Sequence, residues 1–182
     1  MRCGPPLCQT KAEPHLLRKV LVVVEKSHLR AAVLRQLQAE MALQADAAQL
    51  AREEATSEES RAENKWDTHS QEAAYLAEGQ AKLAAEAGAS LELYSSLPFP
   101  DLGPGDPIVL GALVELEAGG KRASYFLGPR AGGLELNVDG RAVMVVTPSS
   151  PVGRELIGKK VGDLVQSRGP AGSISQRIVS VS

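Results

Sequence analysis

An acidic segment between Glu53 and Asp67 holds the side chains of this chain that are best suited to chemistry. It carries six acids against two bases, and its members are Glu53, Glu54, Glu58, Glu59, Glu63, Asp67, Arg61 and Lys65. Carboxylate oxygens are the ligands that hard divalent cations prefer. Runs of charge are usually solvated faces, however, and Arg61 and Lys65 partly neutralise Glu63. The segment is therefore either a group that assists a metal ion or a solvated turn.

A second candidate site is a short segment that carries three basic side chains, Arg154, Lys159 and Lys160. Ser150 and Pro151 are typical of the N-cap and first position of a helix, and Gly158 is typical of a helix end. The basic cluster either contacts a partner or is an exposed helix end whose cations interact with the helix dipole.

The remaining residues exclude most catalytic classes. Gly158-Lys159 lacks the preceding glycine pattern of a phosphate-binding P-loop, and no set of nucleophile, base and oxyanion donor can be assembled. Cys3 and Cys8, the only cysteines, have no further cysteine or histidine at metal-ligand spacing. We therefore expect neither a catalytic centre nor a cofactor of the protein's own.

The composition is typical of a cytoplasmic protein with an extended helical part. Hydrophobic residues make up 43% of the chain but aromatic residues only 3%, which suits an arm rich in alanine and leucine. A formal net charge of −2 gives no argument for nonspecific binding to nucleic acid. The run Val20–Val24 is too short to span a bilayer, and no small-residue cleavage site follows it. We expect no membrane contact, and a disordered leader over residues 1–14.

Residues 15–93 are predicted to form an antiparallel coiled-coil hairpin. Residues 15–55 contain no Gly or Pro and predict one long helix. Its seam recurs at steps of three and four residues, through Leu34, Leu37, Met41, Gln44, Ala48, Ala51 and Ala55. A second seam is expected to end at Gly88, after Trp66, His69, Ala73, Leu76, Gln80, Leu83 and Ala87. Each helix can bury its seam against the other, so we expect a monomer.

Residues 94–107 are rich in Pro and Gly and predict a linker, and residues 108–182 predict a β-rich domain. A hairpin turn is expected at Asp139-Gly140 and a short helix after Ser150. The expected strands are Ile108–Glu117, Ala123–Leu127, Leu134–Val138, Ala142–Val146, Leu164–Arg168 and Ile174–Val181. The predicted fold class is therefore α+β, a helical hairpin followed by a small β-rich domain with one short helix.

The stretch from Ser150 to Asp163 resembles a signature of the Gre family of bacterial transcription elongation factors. It reads SPVGRELIGKKVGD and fits the pattern SPxGxxLxGKxVGD. The resemblance runs from about Leu16 to Val181. It implies an FKBP-like fold for the C-terminal domain and a coiled-coil arm that enters the secondary channel of RNA polymerase. It makes the following residues candidates for contact with the polymerase: Ser150, Pro151, Gly153, Lys159, Lys160, Gly162 and Asp163.

The same resemblance implies a role for the tip of the arm. Family tips read Gly-Asp-Leu/Arg-Ser-Glu-Asn-x-x-Tyr, and the matching stretch here begins at Glu59. Glu63 and Asn64 match the pattern, whereas Ser60 stands in place of the family's aspartate. Family tip carboxylates are implied to help hold a second Mg²⁺ bound in the polymerase, and the candidates here are Glu63, Glu59 and Glu58. Asn64 and Arg61 are candidates for contact with the polymerase.

The function implied is that of a noncatalytic factor that binds RNA polymerase and modulates elongation, pausing or cleavage of backtracked RNA. Nascent RNA is a further candidate partner. Because Ser60 replaces a carboxylate, a channel-occupying inhibitor without cleavage stimulation is one alternative. A structural or chaperone-like hairpin with another partner is a second. A prolyl isomerase is disfavoured, since only Phe99, Tyr125 and Phe126 could line an aromatic pocket.

Overall fold

The structure is a computed structural model that describes residues 24–57, 69–169 and 172–182. Two long helices come first, α1 (Lys26–Thr56) and α2 (His69–Ser96). Six strands and a short helix follow: β1 (Leu113–Ala118), β2 (Lys121–Leu127), β3 (Glu135–Val138), β4 (Arg141–Val146), α3 (Pro151–Leu156), β5 (Leu164–Gly169) and β6 (Gly172–Val181). This order confirms the predicted α+β class. The predicted leader, residues 1–14, lies outside the described residues.

The strands form one mixed sheet in the order β3-β4-β2-β1-β6-β5. β2 and β4 run parallel, and the other neighbouring strands pair antiparallel. Alternation along β1 sends Leu113 into one apolar core and Val114 and Leu116 into a second. The first core contains the base of the helical hairpin, and the second contains Leu156 of α3. The sheet is therefore sandwiched at its centre between the hairpin base and the short helix.

The two long helices pack along a heptad seam whose α2 half differs from the prediction. The α1 seam is confirmed, since its members from Leu34 to Ala55 are buried or half-buried. On α2, the predicted seam residues Leu76 and Leu83 are exposed. The observed seam is Ala73, Ala77, Gln80, Ala84, Ala87, Leu91 and Tyr94. Small side chains occupy these positions because they let the two helices approach closely.

The ends of both helices also differ from the prediction. α1 does not run continuously from residue 15, because Glu25 has extended backbone and α1 begins at Lys26. Val24 is buried in the sheet core instead, and the Glu25 N–H donates to Asp139 Oδ2 at 3.3 Å. α2 passes through Gly88, where a Cβ would meet only Met41 Sδ at an ordinary 3.5 Å. It ends at Ser96 because a residue before a proline, here Leu97, disfavours helical backbone.

The predicted linker over residues 94–107 is packed against the sheet. Its first three residues belong to α2, and Leu97 is buried. Phe99 stacks on Phe126 with 5.2 Å between ring centroids. The chain then turns at Gly111, whose φ is +89° and where a Cβ would lie 2.3 Å from the Pro98 carbonyl oxygen. The strand predicted from Ile108 therefore begins only at Leu113, whereas the other strands agree with prediction to within two residues at each end.

The predicted hairpin turn between β3 and β4 is confirmed and also contacts the start of α1. Asp139 and Gly140 have φ values of +52° and +76°, as a type I′ turn requires. Asp139 Oδ1 lies 2.9 Å from His28 Nδ1, and Glu25 Oε2 lies 3.7 Å from His28 Nε2. This exposed cluster ties the base of the helical hairpin to the β3–β4 turn at the edge of the sheet.

A buried tyrosine fixes the other side of the hairpin base. Tyr94 on α2 is fully buried and its hydroxyl donates to the Arg130 carbonyl oxygen at 2.7 Å. A Cβ on Gly128 would lie 2.0 Å from the Tyr94 hydroxyl oxygen. Burial raises the pKa of Tyr94, so the hydroxyl remains a donor. Tyr94 therefore fits against the sheet because Gly128 has no side chain.

A double-mutant cycle tests this fit. Gly128→Ala forces a Cβ into the tyrosine hydroxyl and should cost on the order of 2–3 kcal/mol, as overpacking does. Tyr94→Phe loses one buried hydrogen bond, worth about 1 kcal/mol. Because Phe removes the atom in closest contact, the double variant should be less destabilised than the sum of the single variants. Urea unfolding measures all three, and additive effects would contradict the proposed fit. Gly79→Ala, where nothing lies within 4 Å, is the control and should not destabilise.

The His28–Asp139 contact predicts a pH-dependent stability. The hydrogen bond and charge of Asp139 raise the pKa of His28, and the hydrogen bond from His28 is the main cause that lowers the pKa of Asp139. The histidine contribution is complete below its ordinary pKa of 6.5 and is lost as pH rises through the raised value. The aspartate contribution is lost only as pH falls through its lowered value. Melting temperatures measured from about pH 5 to pH 9 should therefore fall more steeply for the native chain than for His28→Asn. Parallel curves would contradict this assignment.

Candidate functional site

The tip of the arm lies outside the described residues. This applies to every tip residue singled out from the sequence, namely Glu58, Glu59, Ser60, Arg61, Glu63, Asn64 and Trp66. What is described is the arm that carries them. Beyond Leu37, the last α1 residue in the sheet core, α1 continues for a further 19 residues to Thr56, or roughly 28 Å at 1.5 Å per residue.

The upper end of the arm is held by a histidine–glutamate contact between the two helices. His69 Nε2 lies 3.1 Å from Glu54 Oε1, and both side chains are about half exposed. The sequence predicted that His69 packs in the seam, and this prediction is wrong. The heptad positions of the two residues place them on the flank of the seam, where charged pairs between coiled helices form.

The signature segment opens with a helix cap that also closes a turn. Ser150 Oγ accepts a hydrogen bond from the Gly153 N–H at 3.0 Å and donates to the Thr147 carbonyl oxygen at 2.8 Å. Pro151 takes the first helical position. A Cβ on Gly153 would lie 2.0 Å from the Thr147 carbonyl oxygen. Ser150 and Gly153 therefore shape the backbone of α3, and the predicted cap at Ser150 is confirmed.

The second half of the signature joins α3 to two other parts of the domain. The Ile108 N–H donates to the Lys159 carbonyl oxygen at 2.8 Å, and the Gly158 N–H donates to the Ile108 carbonyl oxygen at 2.9 Å. Gly162, with a φ of +97°, donates its N–H to the Ile178 carbonyl oxygen. Asp163 Oδ2 accepts from the Lys160 N–H at 2.8 Å and so closes the intervening turn. These residues hold backbone in place.

The three basic side chains of the segment have different surroundings. Lys159 Nζ donates to the Leu164 carbonyl oxygen and lies 3.5 Å from Glu155 Oε2, so this ammonium group is tied to the domain. Arg154 and Lys160 are exposed. Of the predicted contact residues in this segment, Pro151, Lys160 and Asp163 thus have exposed side chains, although the Asp163 carboxylate also accepts the bond from the Lys160 N–H. Arg154 is a further exposed residue of the segment.

The fold also exposes apolar residues here that the sequence analysis missed. Ile157 and Leu164 are 47% and 52% exposed, and the Lys159 ammonium group donates to the Leu164 carbonyl oxygen. Val109, 41% exposed, follows Ile108, which is bonded to Gly158 and Lys159. Their exposure could not be read from the sequence, since each lies beside a buried apolar residue. We define the docking patch as Val109, Pro151, Arg154, Ile157, Lys160 and Leu164.

No group of three or more His, Cys, Asp or Glu side chains that could hold a metal ion occurs among the residues that the structure describes. Within the same residues, no helix is both long and apolar enough to cross a membrane.

Comparisons with known proteins bear on the domain that contains the signature. Residues 104–182 match the family described as transcription elongation factor GreA/GreB, C-terminal domain. The GreA factor homolog 1 (Gfh1) protein of Thermus thermophilus is similar at 27% identity, over 83% of this chain and 95% of its own, with a TM-score of 0.36. Thermus aquaticus Gfh1 is similar at 25% identity, over 87% and 96%, with a TM-score of 0.37. GreA/GreB from Nitrosomonas europaea is 18% identical, over 54% and 78%, with a TM-score of 0.35. No curated protein sequence matches.

Substitutions in the segment should separate its structural residues from its exposed ones. Gly153→Ala collides with a backbone carbonyl and should cost on the order of 2–3 kcal/mol. Ser150→Ala loses a helix cap worth about 1 kcal/mol. Arg154→Ala removes an exposed side chain and should stay within about 0.5 kcal/mol of the native chain. Chemical unfolding gives the three values, and an equal loss for Gly153→Ala and Arg154→Ala would contradict the assigned roles.

Proposed function

We propose that this chain, which belongs to the Gre family of transcription elongation factors through residues 104–182, binds RNA polymerase and inserts its helical arm into the secondary channel. There it would modulate elongation, pausing or cleavage of backtracked RNA. The observation that carries the proposal is the combination of this family domain with a two-helix arm that continues roughly 28 Å beyond its last contact with the sheet. An arm of this shape suits a narrow and deep protein channel.

The docking patch supports the proposed contact between the domain and the polymerase. It combines apolar side chains with two exposed cations, Arg154 and Lys160, a composition suited to an apolar surface with acidic borders. The rigid backbone beneath it helps binding, because little freedom is lost when the surface docks. Pro151 and Lys160 retain the contact role that the sequence gave them. Ser150, Gly153, Lys159, Gly162 and Asp163 support the patch through the backbone.

The tip is proposed to act near a Mg²⁺ ion that belongs to the polymerase. Carboxylates are suitable ligands for that ion, and Glu63, Glu59 and Glu58 are the proposed donors. The ion would polarise the scissile phosphate and its attacking water when bound. The chain itself would position carboxylates, and the polymerase would perform the cleavage. Asn64 and Arg61 are proposed to contact the channel or the nascent RNA.

Ser60 favours a second form of this function, occupancy of the channel without cleavage. A serine hydroxyl is a weaker ligand for a divalent cation than a carboxylate, so the tip lacks the carboxylate that the family pattern places at this position. In this form the arm would exclude other channel factors and slow elongation. The monomeric state and cytoplasmic location remain predictions.

A backtracked elongation complex tests both forms. We expect the native chain to compete with a cleavage-stimulating channel factor while it releases little RNA by itself. Ser60→Asp should restore cleavage, at least tenfold above the native chain, because it adds the missing carboxylate. Glu63→Ala in the Ser60→Asp background should abolish that gain. RNA release and competition are read on the same complex by gel.

The matched control is Glu78→Ala, which removes an exposed carboxylate from α2 well below the tip. It should change neither readout. A native chain that neither competes for the polymerase nor alters RNA release would overturn the proposed function. It would favour the alternative of a structural or chaperone-like hairpin with another partner.

A further inference from the structure

Four large leucines are exposed on the arm although each lies within a helix that has an apolar seam. They are Leu43 and Leu50 on α1, which are 63% and 67% exposed, and Leu76 and Leu83 on α2, which are 54% and 47% exposed. A fifth exposed leucine, Leu93, lies at the base of α2, beside the sheet-core residue Tyr94, and is not counted with the arm. Scattered exposed leucines are ordinary on protein surfaces. These four share a flank of the hairpin, however, and so form one surface.

The heptad register places the leucines on a common flank. If the observed seam residues are positions a and d, Leu76 and Leu83 fall at g on α2, and Leu43 and Leu50 fall at c on α1, beside g. One contact and one shared groove indicate that the g positions of both helices lie on one side. Glu54 pairs with His69 at 3.1 Å, and Glu40 and Leu83 line the same groove at the arm base.

The four side chains also follow one another along the arm. The Glu54–His69 pair and the Glu40–Leu83 proximity fix which heights match in the two antiparallel helices. In that register the order from base to tip is Leu83, Leu43, Leu76 and Leu50. Neighbours are separated by roughly 4–7 Å along the axis, at 1.5 Å per residue. We call this zigzag strip the leucine flank.

The charged groups that border the leucine flank have one sign. From residue 36 to 57 on α1 and from 69 to 90 on α2, the c and g positions carry Glu40, Glu54, Glu72 and Glu86, but no lysine or arginine. Lys82 lies one position further round α2. The opposite flank, at b and e, has small or polar side chains and carries Arg35 and Arg52 against a single carboxylate, Glu78. The asymmetry distinguishes the leucine flank from an ordinary solvated face.

We propose that the leucine flank is a lateral docking face, which binds an apolar strip bordered by lysine or arginine on the polymerase that receives the arm. This inference rests on the proposed function and assigns a face of the arm to its partner. Charge decides between occupants, since a second copy of the same flank would bring eight carboxylates together across one interface. A cationic border would instead pair with them. The contact would hold the arm by its side, independently of the tip.

Binding of purified core RNA polymerase to the labelled full chain tests the proposal by fluorescence anisotropy. The variant Leu43→Gln/Leu50→Gln/Leu76→Gln/Leu83→Gln removes the apolar strip, and glutamine keeps a helix propensity close to that of leucine. We expect at least a tenfold weaker affinity, because central apolar contacts dominate protein interfaces. Glu40→Gln/Glu86→Gln should weaken binding less and should reduce its salt dependence.

Tyr75→Gln is the matched control, since Tyr75 is 74% exposed at position f, away from the leucine flank. It should bind like the native chain, and circular dichroism should show equal helix content for all variants. Native affinity in the four-leucine variant would overturn the leucine flank while the proposed function stands. Absence of polymerase binding by the native chain would overturn both. A native dimer that the four-leucine variant converts to a monomer in sedimentation would assign the flank to a second copy instead.

Discussion

The direction of the arm depends on the insertion of Tyr94 into the sheet beside Gly128. The tyrosine ring packs 6.3 Å from Phe126, and its hydroxyl reaches the Arg130 carbonyl oxygen. On the other side of the hairpin base, Val24, Leu29 and Val33 lie in the same core. Both helices are thus anchored in one apolar cluster. The arm continues roughly 28 Å from that cluster, and the close packing at its base fixes its direction.

The fixed positions of the signature segment serve mainly to hold backbone in place. Its serine and glycines satisfy backbone groups and admit close approaches, while Lys159 is tied to neighbouring carbonyl and carboxylate oxygens. Of the exposed side chains beside them, Ile157 falls at a position that the motif leaves variable, and Leu164 follows the last motif residue. The motif thus fixes the backbone of this segment, and the proposed contact with the polymerase is assigned mostly to the residues beside its fixed positions.

In the arm, the residues that let the two helices approach closely differ from the apolar residues that are exposed on its surface. Alanines occupy most of the α2 seam, so the helices approach closely. The leucines of the arm lie on its outer surface instead. An arm that must enter a narrow space benefits from a thin seam. Its leucine flank and its glutamates then face a partner, as the proposed insertion requires.

The sequence by itself determined the α+β class, the α1 seam, the Asp139-Gly140 turn and the capped helix after Ser150, because each depends on local propensity or on short-range periodicity. It also pointed to the family whose domain matches residues 104–182, since a spaced pattern of glycines and polar caps encodes backbone geometry. Tertiary structure alone decided that alanines and not leucines form the α2 seam, that α2 passes Gly88, and that the proline-rich linker packs on Phe126. It also decided which apolar residues remain exposed. These outcomes depend on which surfaces meet across the hairpin and the sheet, and a residue's type and spacing do not contain that information.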